Sequence, residues 1–61
     1  MDNYETDVRS YERRIAEQER LAACHLANGN YEKLLLTAGR LMSLHEALGE
    51  VRYQRERDAR E

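Results

Sequence analysis

Residues 31–53 carry six of the eight leucines of this 61-residue chain, at the spacing of one amphipathic helix. At about 100° per residue, Leu34, Leu41, His45 and Leu48 lie at the centre of an apolar arc of roughly 200°. A helix that packs against a single neighbour usually shows an apolar stripe only a little over about 100° wide. The arc therefore predicts a helix covered from at least two sides, which one chain of this length cannot provide.

The missing cover is expected to come from self-association. A chain of 61 residues buries too small a fraction of its surface to be more than marginally stable alone. The single cysteine excludes an intramolecular disulfide, and one cysteine with two distant histidines makes a poor metal site. We therefore expect no cofactor and no metal, and we expect the chain's first partner to be a second copy of itself.

The composition predicts a water-soluble, all-helical protein. Charged residues make up 36% of the chain, and proline, tryptophan and phenylalanine are absent. The net charge of -2 gives no strong field of either sign for recruiting nucleic acid or an anionic membrane. No apolar run is long enough to span a membrane, and the start Met1-Asp2-Asn3 lacks the features of a signal peptide. We expect a cytoplasmic protein with no membrane partner.

A first helix is predicted over residues 4–27, and its apolar residues form a narrow seam like that of a coiled coil. The Asn28-Gly29-Asn30 segment then breaks the helix, because glycine adopts the left-handed conformation and asparagine caps a helix start. A break of two or three residues returns the chain antiparallel to itself. The seam is interrupted by Gln18 and otherwise consists of Tyr4, Val8, Tyr11, Ile15, Ala22 and Leu26.

The second helix is predicted over residues 31–57, with a frayed end beyond. Gly49 is a candidate stop, but Val51 and the spacing of Arg52 with Glu56 continue the helical pattern, so a continuous helix is favoured. The chain thus reads as one domain, residues 1–61. Its predicted fold class is all-α: an antiparallel helical hairpin that dimerises into a four-helix bundle, with the second helices innermost.

The segment around the turn resembles the turn within a tetratricopeptide unit. Ala22, Gly29 and Tyr31 supply the small residue, the glycine and the tyrosine of that unit at similar offsets, over about a quarter of the chain. Gln18 occupies the place of the unit's tryptophan, and no second copy follows, although an array needs at least about three units. The resemblance implies a helical hairpin and no particular ligand.

The predicted dimer core lies on the broad arc and consists of the four central residues together with Ala38 on its flank: Leu34, Ala38, Leu41, His45 and Leu48. His45 is expected at the edge of this core, hydrogen-bonded to a neighbour. The alternative is that His45 faces its symmetry mate across the two-fold axis of the dimer. In that case its protonation in mildly acidic buffer would weaken the dimer, and an unchanged dissociation constant would refute the idea.

No catalytic residue is predicted, and we expect the protein not to be an enzyme. Cys24 and His25 are adjacent, but neighbours in a helix point about 100° apart and do not face each other as a nucleophile and its base must. The sequence contains no glycine-rich phosphate loop and no paired acid and base, and it is too short to enclose a substrate pocket.

These exclusions favour a regulator or adaptor that binds another protein, for example a small phage or bacterial inhibitor. Arginine supplies nine of the ten basic residues, which fits such a gene source. The candidate partner surface consists of Tyr4, Leu35, Met42, Val51 and Tyr53.

Two alternatives remain open. The first is a nucleic-acid-binding dimer that uses the arginine-rich end of the second helix, although acidic residues are interleaved there. The arginines concerned are Arg52, Arg55, Arg57 and Arg60. The second alternative is a subunit of a larger hetero-assembly, in which a different protein covers the apolar arc.

Overall fold

A computed structural model of the chain describes residues 3–60, which form two α-helices packed against each other. Helix α1 spans Tyr4–Ala27 and helix α2 spans Tyr31–Arg60. The pair forms an elongated hairpin, 49 Å along its longest axis. The predicted all-α hairpin is confirmed, and Met1, Asp2 and Glu61 of the predicted domain lie outside the described residues.

The turn between the helices is closed by hydrogen bonds at both helix ends. Gly29 has a φ of 68°, the left-handed conformation in which a side chain is disfavoured. The backbone N–H of Asn30 donates to the His25 carbonyl at 2.8 Å, and that of Gly29 donates to the Leu26 carbonyl at 3.1 Å, which is a Schellman motif. Asn30 Oδ1 accepts a bond from the backbone N–H of Lys33 at 3.4 Å and so caps α2.

The two helices meet along rows of residues that alternate in steps of three and four, as in a coiled coil. Within this interface only Ile15 and Leu48 are buried apolar residues among those described, at 7% and 5% exposure. Thr37 is also buried, and its hydroxyl donates to the Lys33 carbonyl at 2.9 Å. The α2 row, here called the inner seam, is Leu34, Thr37, Leu41, Leu44, Leu48 and Val51, all buried or half-buried.

The hairpin exposes more surface than a compact protein of its mass. Its accessible surface is 5118 Å², whereas a folded monomer of 7.2 kDa is expected to expose about 4,100 Å². The excess of about 1,000 Å² reflects the absence of a second layer over the hairpin.

Helix α2 passes through Gly49 without interruption and reaches Arg60, beyond position 57 where the sequence pattern put its end. Two contacts involve its last turns: Arg60 pairs with Glu56 at 2.7 Å, and the Arg55 guanidinium lies 5.0 Å from the centre of the Tyr4 ring. Within residues 3–60, neither helix has an apolar stretch long enough to cross a lipid bilayer.

Candidate interaction surfaces

A second row of apolar residues runs along α2 beside the inner seam and is exposed to solvent. Its members from Leu35 to Gly49 each follow an inner-seam residue by one position, so the row lies about 100° further round the helix. Tyr31, Leu35, Met42 and Tyr53 are 64%, 75%, 66% and 59% exposed, values that are high for large apolar side chains. This row, here called the outer stripe, is Tyr31, Leu35, Ala38, Met42, His45, Gly49 and Tyr53.

The outer stripe follows the spacing of a coiled-coil seam. From Tyr31 to Gly49 its residues are separated by steps of four and three in alternation, and Tyr53 follows four residues later. All of them lie within about 80° of one another around the helix. The broad arc of the sequence is therefore two narrow stripes, one occupied by α1 and one open.

The predicted dimer-core residues are divided between these two stripes. Leu34, Leu41 and Leu48 belong to the inner seam, where the hairpin uses them for its own packing. Ala38 is half-buried and His45 is exposed, and both belong to the outer stripe. Only these two of the five residues face the open side of α2.

The predicted partner surface is divided in the same way. Leu35, Met42 and Tyr53 lie in the outer stripe. Tyr4 and Val51 are half-buried between the helices at the open end of the hairpin, where Arg55 covers the Tyr4 ring. The structure therefore gathers the exposed members on α2 and places the other two in the helix interface.

The arginine-rich end of α2 makes contacts within the chain. Arg52 lies 3.9 Å from a carboxylate oxygen of Glu12, in addition to the contacts of Arg55 and Arg60 with Tyr4 and Glu56. Arg57 lines a shallow groove together with Tyr53, Glu56 and Arg60. Exposed ion pairs of this kind contribute little to stability, but they neutralise the cations locally.

The cysteine and the two histidines have different surroundings. Cys24 is exposed, and its Sγ accepts a weak bond from Asn28 Nδ2 at 3.5 Å. His25 is half-buried beside the turn, whereas His45 lies on the outer stripe. Across residues 3–60 no three His, Cys, Asp or Glu side chains are grouped so that they could hold a metal ion.

A basic groove, which the sequence did not reveal, runs along one edge of the hairpin between the helices. Two adjoining depressions of about 580 and 230 Å³ share Leu36 and Arg40 and together form this groove near the turn. Its principal lining residues are Arg14, Gln18, Lys33, Leu36, Arg40 and Leu44. Because the cations come from both helices, only the register of the hairpin brings them together.

No protein-family model, curated protein or solved structure matches this chain.

Proposed function

We propose that this protein is a small, non-enzymatic, cytoplasmic adaptor or regulator that works as a homodimer and binds another protein. In the proposed dimer the outer stripes of two hairpins face each other, so that the two α2 helices lie innermost in a four-helix bundle. The observation that carries the proposal is the outer stripe itself. Four large apolar side chains at coiled-coil spacing, each more than half exposed, are costly on a monomer in water.

The weakness of the hairpin's own core supports the same proposal. Ile15 and Leu48 are its only buried apolar residues among those described, and a domain of this size depends on further burial to be stable. The area also fits. The excess of about 1,000 Å² over a compact monomer is close to the roughly 800 Å² that each partner contributes to a standard interface.

A second copy is the occupant that this stripe suits best. The stripe runs over about 33 Å of one helix. Two identical stripes form an isologous interface, in which the outer stripe of one copy packs against the outer stripe of the other. His45 would then lie in the interface, where a proton gained in mild acid would place a charge between the helices, so the weakening of the dimer in mild acid stays a prediction.

Co-expression of two copies with different affinity tags tests the proposal. Purification through one tag, with nuclease present, is expected to recover the second tagged copy in equal amount. Recovery that disappears on nuclease treatment would instead favour the nucleic-acid alternative, with the arginines at the end of α2 as the residues to change. A different protein recovered in place of the second copy would favour the hetero-assembly.

A further inference from the structure

The basic groove differs from the rest of the surface in its charge. The chain carries twelve acidic residues, yet no aspartate or glutamate among the described residues lines either depression of the groove. Arg14, Lys33 and Arg40 form no ion pair with a carboxylate within residues 3–60. The Arg14 guanidinium lies 5.9 Å from the centre of the Tyr11 ring, which leaves its donors available.

A carboxylate that lies one turn from Arg14 along α1 is already engaged. Glu17 accepts a hydrogen bond from Arg20 at 2.7 Å. This bond, followed by the charge of the same carboxylate, raises the pKa of the exposed Arg20 guanidinium above its usual value. Glu17 is therefore held by Arg20 and does not neutralise the groove.

The floor of the groove is apolar. Leu36 lines both depressions and is 62% exposed, and the half-buried Leu44 lines the larger depression two turns further along α2. Gln18 adds a carboxamide whose Oε1 is shielded from solvent and accepts no hydrogen bond from the described residues. The groove thus offers an apolar contact flanked by cations, together with an acceptor that lacks a donor.

The same edge of the hairpin becomes acidic towards its open end. A chain of adjoining depressions leads from the basic groove, through Arg14 and then Val51, to a depression where three carboxylates face one cation. Its charged lining residues are Asp7, Glu50, Arg55 and Asp58. A second copy could offer this acidic end to the groove. However, none of the exposed large apolar residues lies there, so a second copy would supply charge without a side chain to cover Leu36.

We propose that the basic groove binds an acidic amphipathic helix of a partner protein, with carboxylates against Arg14, Lys33 and Arg40 and an apolar row over Leu36 and Leu44. Amphipathic helices commonly bind in grooves of this kind through apolar residues spaced three and four apart. Both walls of the groove belong to a single hairpin, and it lies on a different side of α2 from the outer stripe. The inference deepens the proposed adaptor function by naming the class of partner.

The test uses a fluorescein-labelled synthetic peptide helix with leucines along one face and glutamates on both flanks. Binding to the purified full chain is followed by fluorescence anisotropy, and a matched peptide carries lysine in place of every glutamate. We expect the acidic peptide to bind, its affinity to fall with added salt, and the lysine peptide to bind more weakly by about tenfold or more.

Two double variants with the same change in charge locate the site. Arg14→Glu with Arg40→Glu reverses the groove, whereas Arg9→Glu with Arg13→Glu reverses two exposed arginines of α1 that do not line it. All four positions are exposed, so both variants are expected to keep the helical circular dichroism of the native chain. The groove variant should lose binding by about tenfold or more, and the control should stay within about twofold.

Several results would overturn the inference: no binding of the acidic peptide, equal binding of the lysine peptide, or equal loss in the two double variants. Association of the native chain beyond a dimer that the groove variant abolishes would also overturn it, because a second copy would then be the occupant. A native chain that dimerises but does not bind the peptide would leave the dimer proposal intact. Peptide binding by a chain that stays monomeric would leave the groove inference intact and contradict the dimer proposal.

Discussion

Leu41 and Met42 are consecutive residues of α2 that lie in different rows: Leu41 is half-buried against α1, and Met42 is 66% exposed in the outer stripe. One step along the sequence therefore separates packing within the hairpin from packing available to another molecule. The two positions allow the two kinds of packing to be tested separately by the same substitution.

Leu41→Asp is expected to unfold the chain. The substitution removes a leucine from the inner seam and partly buries a carboxylate, at a cost of about 3 kcal/mol or more. A chain of this length has a total stability of only about 3–9 kcal/mol. Far-UV circular dichroism over a range of protein concentrations should therefore show loss of helix and no recovery on concentration. A folded, helical Leu41→Asp monomer would show that the inner seam is not essential.

Gln18→Leu is expected to stabilise the hairpin. Gln18 occupies a position of the α1 seam, and its shielded Oε1 accepts no bond from residues 3–60, which costs about 1–3 kcal/mol. Leucine would remove this cost and add apolar contact, so we expect the urea midpoint to rise by an amount equivalent to about 1–2 kcal/mol. Gln54→Leu, at an exposed position of α2, serves as the control and should change stability by less than about 0.5 kcal/mol. An equal effect in both variants would contradict the account.

Gly39 and Gly49 provide a matched pair on α2. Both lie within the helix, and a methyl group added at either would meet no heavy atom within 4 Å other than its chain neighbours and the adjacent helix backbone. Alanine should therefore stabilise the helix by about 1 kcal/mol at both positions if nothing else packs there. Because Gly49 lies in the outer stripe and Gly39 does not, we expect only Gly49→Ala to weaken self-association. Equal dissociation constants for the two variants in sedimentation equilibrium would argue against an interface at Gly49.

Much of the hairpin could be predicted from local sequence. The Asn28-Gly29-Asn30 break and the four-and-three spacing of Val8, Tyr11 and Ile15 are local patterns, and the helices and their packing follow them. The predicted seam is wrong at its last position, because Leu26 is 57% exposed and His25 is half-buried in its place beside the turn. The pattern of apolar residues did not identify Thr37 as buried, because threonine has a polar side chain. The signal was its position between Leu34 and Leu41, where its hydroxyl is satisfied by the Lys33 carbonyl.

Two features could not be read from the sequence. Helical angles alone put Leu41 and His45 near the middle of one arc, and only the position of α1 shows that Leu41 faces inwards and His45 faces outwards. The basic groove depends on the side-by-side register of Arg14 and Arg40, which are far apart in the chain. Local periodicity contains no information on either relationship.

The two copies are expected to pair antiparallel. An antiparallel pairing centred near position 40 sets Tyr31 against Gly49, Leu35 against His45, and Ala38 against Met42, so each small residue meets a large one. A parallel pairing sets each residue against its own equivalent, which leaves gaps at Gly49 and crowding at Tyr31, whereas packed helices favour an even separation.

A spin label on Asp58→Cys, in a Cys24→Ser background, measures the orientation by pulsed electron resonance. Antiparallel copies should place the labels about 50 Å apart, and parallel copies about 20 Å apart. The antiparallel register also brings Glu32 near Glu46 of the second copy, so added salt should strengthen the association. A short label distance would reject this pairing.

Sedimentation equilibrium of the native chain, Met42→Asp and Ser43→Asp tests the central claim most directly. Both variants add one negative charge at neighbouring exposed positions, but only Met42 lies in the outer stripe. We expect the native chain and Ser43→Asp to sediment at twice the chain mass of 7.2 kDa, and Met42→Asp to sediment as a monomer with reduced stability because the charge cannot be buried in the interface. A monomeric native chain, or a Met42→Asp dimer as tight as the native one, would contradict self-association through the outer stripe.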